Sequence, residues 1–195
     1  MFKGEVLKPI ENITVLDFSS NLPGPLCSSI LISLGARVIK VESPDGDPFR
    51  KSGAMWTSLN IGKESISINL KTQAGKDLIY DLVRISDVVI EGWRPGVATK
   101  LSADYETLKK ENDQLIYCSI SGFGQEGKWN KRPGHDINYL ALSGYLDMQS
   151  KVEGKPWPPT ILLSDLSSGF YATIGILAAL NKRNTSKRGT YIDLS

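Results

Sequence analysis

Short β-rich runs alternate with longer helical runs along this sequence, and no other feature restricts its folding as tightly. Ile13–Phe18 (ITVLDF), Arg37–Glu42 (RVIKVE), Asp87–Ile90 (DVVI) and Gln114–Ile120 read as apolar strands. Ser65–Leu70 alternates like a shorter strand, and Tyr191–Leu194 begins one more. Between them, Pro23–Leu34 reads as a helix with prolines near its start and Gly35 just past its end, where a left-handed cap belongs. Thr72–Ile85 carries Leu78, Ile79, Leu82 and Ile85 at helical spacing. Ser102–Glu111 reads as a short helix capped by Ser102, and Ile137–Met148 and Leu166–Asn181 read as helices. Ser43–Gly53 is a turn-rich loop. Apolar strands joined by helices predict the α/β class, a Rossmann-like parallel sheet with helices on both faces. Ligands of such sheets bind beyond the carboxyl ends of the strands.

The chain has 195 residues, enough for one domain with a sizeable core. A net charge of +2 is too small to argue for nucleic acid, although a local basic surface would still suit a small anion. Cys27 and Cys118 form neither a metal-type spacing nor a disulfide framework, and so favour a reducing, cytoplasmic compartment. The N-terminal segment shows no long apolar core, and the longest apolar stretch, Ile174–Leu180, is too short to span a bilayer. No membrane role is therefore expected. The sequence ends in a β-type run, YIDLS, with nothing after it to cover that strand, which suggests a larger architecture that has been cut or split.

The single histidine, His135, lies in RPGHDINY, beside Asp136 at the start of a helical pattern. It is either a structural residue at that helix start or a proton-handling group. Asp165 follows the apolar run Ile161–Leu163 and precedes an apolar helix. It is either a cap or a site residue whose pKa partial burial would raise. The glycine-rich stretches around Leu22, Gly92 and Ser121 match neither a phosphate-binding loop nor a dinucleotide fingerprint. Arg94 and Lys71 each follow a strand, so together they would suit a phosphate-bearing ligand.

Seven separated segments then carry a resemblance over essentially the whole chain. They are VLDFSSNLPGP, LGARVIKVESPDGDPFR, SINLKTQAGKD, DVVIEGWRPGV, YCSISGFGQEG, RPGHDINYLALSG and SDLSSGFYATIGILAALNKRNTSKRGTYIDLS. In order and spacing they resemble the family III CoA-transferases, a group that includes α-methylacyl-CoA racemase. The resemblance implies that residues 1–195 are a single CoA-binding domain, the N-terminal part of a longer family architecture whose small domain is lacking. It implies acyl-CoA as a thioester substrate, no permanently bound cofactor and no metal. The racemase branch pairs a histidine with an aspartate 30 positions later, as His135 and Asp165 stand here. They would move a proton on and off the α-carbon of a 2-methylacyl-CoA, with N–H donors at the helix starts near Pro133 or Asp165 holding the enolate-like oxygen. In the transferase branch the matching aspartate is a nucleophile, which would make Asp165 form an anhydride and then a CoA thioester. A third possibility is a non-catalytic CoA-binding fragment or subunit.

By resemblance, the coenzyme contacts would be Ile68, Asn69, Leu70, Lys71, Gly92, Trp93, Arg94, Lys100, Gly134, Asp136, Ile137, Asn138 and Tyr139. Two positions depart from the family pattern. Ser43 stands where an arginine is frequent, with Lys40 or Arg50 as candidate substitutes, and Lys100 also replaces an arginine. The expected partners are an acyl-CoA and either a second copy, in an interlocked dimer, or a separate chain supplying the C-terminal half.

Overall fold

The computed structural model describes residues 8–195. The expectation for the N-terminal segment rests in part on residues 1–7, outside the described residues. In chain order the elements are β1 (Thr14–Asp17), α1 (Pro23–Ser33), β2 (Arg37–Glu42), α2 (Ala54–Asn60), β3 (Glu64–Ser67), α3 (Gln73–Arg84), β4 (Val88–Glu91), α4 (Val97–Lys100), α5 (Tyr105–Leu108), β5 (Ile116–Ile120), α6 (Asp136–Leu142), α7 (Tyr145–Glu153), α8 (Leu163–Ser186) and β6 (Thr190–Leu194).

Six parallel strands form one sheet in the order β3-β2-β1-β4-β5-β6. The order reverses between β1 and β4, which opens a crevice at the carboxyl ends of the strands. Strand residues alternate between two buried layers. Val15, Val38, Val88, Ile90, Ile116 and Cys118 meet α1 and α8 on one face. Leu16, Ile39, Val89, Leu115 and Tyr117 meet Ile79 and Val83 of α3 on the other. A fully buried side chain of this kind contributes roughly 1.5–3 kcal/mol. Two covered faces explain why the strands read as continuous apolar runs.

Five expectations need correction. Ser102 does not cap a helix: it closes the turn after α4 with φ 57°, and Asp104 caps α5 by accepting the Thr107 N–H at 3.2 Å. The helix expected over 137–148 is two helices, because Gly144 takes φ 81°, a left-handed conformation that a right-handed helix cannot carry through. α8 starts at Leu163, so Asp165 lies inside its first turn and does not cap it. The last strand is covered on one face: α8 folds back on it, and Ile192 and Leu194 pack against the core that α8 shares with α1, while Tyr191 and Asp193 are exposed on the other face. Finally, α8 is 24 residues long with a mean hydropathy of 1.3 over its apolar window, long and apolar enough by composition to cross a membrane. Only one stripe, Gly169, Ala172, Thr173, Ile176, Ala179 and Leu180, is buried, facing the sheet and α1.

Candidate functional site

Two cavities open at the carboxyl edge of the sheet. The larger, about 540 Å³, lies beyond β1–β4 and is walled by Phe18, the Ser43–Pro48 loop, Ile68–Lys71, Trp93 and Leu101. The loop is fastened to the strand ends by charge. Lys40, 2% exposed in its side chain, binds the Ser19 carbonyl at 2.8 Å and the Asp47 carboxylate at 2.9 Å. Glu42 accepts two bonds from the Arg50 guanidinium, at 2.6 and 2.8 Å, one from Ser65 and one from the Asp47 N–H. Arg50 chiefly, aided by Ser65 and that N–H, outweighs burial and holds the Glu42 carboxyl down at about 2. Lys40 and Arg50, the candidate substitutes for the missing arginine near Ser43, are thus committed to fixing the loop.

Beneath this cleft lies a buried ion pair. Lys63 Nζ stands 3.0 Å from Asp17 Oδ2, and both side chains are at most 1% exposed. Ser19 and Ser28 also donate to this carboxylate. Burial pushes the Asp17 pKa up, but Lys63, Lys40 and the two hydroxyls overcome it and leave the carboxyl below its usual range.

The smaller cavity, about 300 Å³, lies beyond β5 and β6, between Ser121–Gly122, Tyr139, Ser164, Ser167–Ser168 and Tyr171. Here α6 and α8 start side by side. His135 is the exposed residue just ahead of α6, oriented by its backbone N–H, which donates to Asn138 Oδ1 at 2.8 Å. Asp136, 6% exposed, turns its carboxylate to α8 and accepts the Ser164 N–H at 2.7 Å, the Ser164 hydroxyl at 2.6 Å and the Asp165 N–H at 3.1 Å. These bonds cap α8 from another helix and satisfy donors that would otherwise be orphaned. They also engage two of the N–H groups expected near Asp165 to hold an oxyanion. Asp165 itself is half-buried. Burial raises its pKa, the Asp136 charge adds to the rise, and His135 opposes it.

The coenzyme contacts expected from the sequence divide between the cavities. Ile68, Asn69, Leu70, Lys71 and Trp93 come together in the larger one, where Ile68 and Leu70 are core residues forming its floor. Gly92 precedes Trp93, while Arg94 and Lys100 are exposed at either end of the α4 turn. Tyr139 reaches the smaller cavity, and its hydroxyl fits against Gly122 and Gly134, where an added Cβ would approach to 2.1 and 2.6 Å. Ile137 and Asn138 are exposed on α6. The clamping role of Asp136 and the Ser164, Ser167 and Ser168 lining were not anticipated from sequence. The only local signal was the density of serines around Asp165 in SDLSS. Among the described residues, no three His, Cys, Asp or Glu gather as metal ligands.

A model described as CoA-transferase family III matches residues 10–195. The chain is 39% identical over 185 residues to alpha-methylacyl-CoA racemase of Homo sapiens, covering 94% of this chain and 47% of that protein. It is 35% identical over 196 residues to succinyl-CoA:glutarate CoA-transferase of Mus musculus, covering 96% of this chain and 45% of that protein. The crystal structure of a CAIB/BAIF family protein from Brucella suis superposes with a TM-score of 0.92 at 35% identity, over 97% of this chain and 53% of that one. The chain therefore spans about half the length of the curated relatives it matches.

Proposed function

Because the chain belongs to CoA-transferase family III, we propose that it takes an acyl-CoA as substrate and epimerises 2-methylacyl-CoA thioesters by proton transfer between His135 and Asp165. One observation carries the racemase reading: the single imidazole is near enough to the half-buried Asp165 carboxyl for its charge to oppose the rise that burial and Asp136 give that group's pKa. Inverting a carbon needs a base on one face and a protonated acid on the other. In this reading Asp165 takes the acid role and His135 the base role. The roles exchange when the reaction runs backwards. The coenzyme would occupy the larger cleft, with Lys71 meeting phosphate at its rim.

Racemases and transferases both stand among the relatives at similar identity, and the transferases support a second reading in which Asp165 attacks the thioester. The test is incubation of the complete polypeptide with a 2-methylacyl-CoA in heavy water, with and without an added dicarboxylic acid. Deuterium at the α-carbon of both enantiomers, with interconversion lost in His135→Ala, supports the racemase. CoA transfer without deuteration, with an aspartyl intermediate trapped by hydroxylamine, assigns the transferase.

A further inference from the structure

One buried acid has no part in the proton transfer just described. Glu91, the last residue of β4, is 3% exposed, and among the described residues no cation pairs with it. A buried carboxyl without a cation is costly unless hydrogen bonds or a proton relieve it. Its two oxygens serve opposite sides. Oε2 accepts the Trp93 backbone N–H at 2.7 Å, and the Trp93 ring lies against Phe18 in the wall of the larger cleft. Oε1 bonds the hydroxyl of Ser119, its register partner on β5. Ser119 Oγ in turn accepts Gln125 Nε2–H at 2.7 Å, and the Gln125 backbone N–H donates to Asp193 Oδ2 at 3.0 Å. Gln125 lies in the loop that begins with Ser121 and Gly122, the wall of the smaller cavity, and runs on to α6.

We propose that Glu91 is a positioning residue: it joins the Trp93 wall of the larger cleft to the Ser121–Gln125 wall of the smaller cavity, so that coenzyme seating and alignment at Asp165 are set together. This rests on the assignment of the two cavities made above. Burial raises the Glu91 pKa, the Ser119 hydroxyl and Trp93 N–H oppose the rise, and the Asp193 charge adds to it. A retained proton would let Glu91 stay buried without an unpaired charge.

The two arms separate experimentally in the complete polypeptide, by CoA titration together with kcat and KM for α-proton exchange. Ser119→Ala cuts only the Gln125 arm. It should lower kcat about tenfold and leave CoA affinity within about twofold. Glu91→Ala cuts both arms, so it should weaken CoA binding about tenfold and lower kcat as well, and adding Ser119→Ala should cost nothing more in kcat. Glu91→Gln keeps the shape, its carbonyl accepting the Trp93 N–H and its amide N–H donating to Ser119 Oγ, and should restore most of each loss. Should Glu91→Ala fail to fold, Ser119→Ala and Gln125→Ala replace it, with equal and non-additive kcat losses expected. The proposal is overturned if Ser119→Ala weakens CoA binding as much as it lowers kcat, or if the variants reduce only thermal stability. Failure of the unsubstituted protein to bind CoA would instead overturn the functional reading itself.

Discussion

The Asp136 carboxylate accepts the Asp165 backbone N–H at 3.1 Å, so the first turn of α8 is capped by a side chain from α6. One contact therefore sets both the position of the candidate acid and, by proximity of charge, its proton affinity. Asp136→Asn keeps an acceptor and removes the charge. The Asp165 pKa should fall, and the limb of the pH–rate profile for α-proton exchange that follows Asp165 should move to lower pH. Asp136→Ala removes the acceptor too and should cost about 1–3 kcal/mol in denaturant unfolding.

Asp165 itself should be a burden on stability. Its pKa is raised in the folded state above its ordinary value of 3.8, so the folded chain binds that proton more tightly than the unfolded chain. Stability is then lost as pH rises through the interval between the two values. Asp165→Asn should abolish racemisation and raise Tm at pH 7. Thermal melts should show that gain vanish below about pH 4.

The Lys63–Asp17 pair behaves in the opposite sense. The Asp17 pKa is depressed, so the stability it contributes is present above its unfolded value of 3.8 and is lost as pH falls through the folded value. Lys63→Met leaves a buried carboxylate short of a partner and should cost about 3–5 kcal/mol in urea unfolding.

Gly122 leaves no room for a side chain, since a Cβ there would come within 2.1 Å of the Tyr139 hydroxyl. Gly122→Ala should displace Tyr139 and lower α-proton exchange about tenfold. Tyr139→Phe removes the atom that is struck, so the same glycine substitution should cost less in that background, a difference that a double-mutant cycle measures directly.

How much of this was legible in the sequence depends on whether the signal was local. Arg37–Glu42 was delimited correctly because every residue after Arg37 is buried, which makes an unbroken run. That Lys71 and the segment after β4 lie at one edge was legible too, since parallel strands bring their carboxyl ends together, whereas Ile68–Leu70 and Trp93 were named only by resemblance. The buried ion pair of Lys40 with Asp47 was not read off, because Asp47 sits on a loop whose path no periodicity fixes. The cap of α8 was hidden for the same reason: Asp136 is 29 residues away from Asp165 and is brought near only by tertiary packing. The break at Gly144 was written in LSGYL but masked by the apolar residues on either side.

The central claim is that His135 and Asp165 act on opposite faces of one α-carbon. Deuterium wash-in from heavy water, followed separately for the two enantiomers of a 2-methylacyl-CoA, tests it most directly. Two bases predict that His135→Ala still exchanges one enantiomer, that Asp165→Asn still exchanges only the other, and that neither interconverts them. A variant that spares or abolishes exchange of both enantiomers alike would contradict the account.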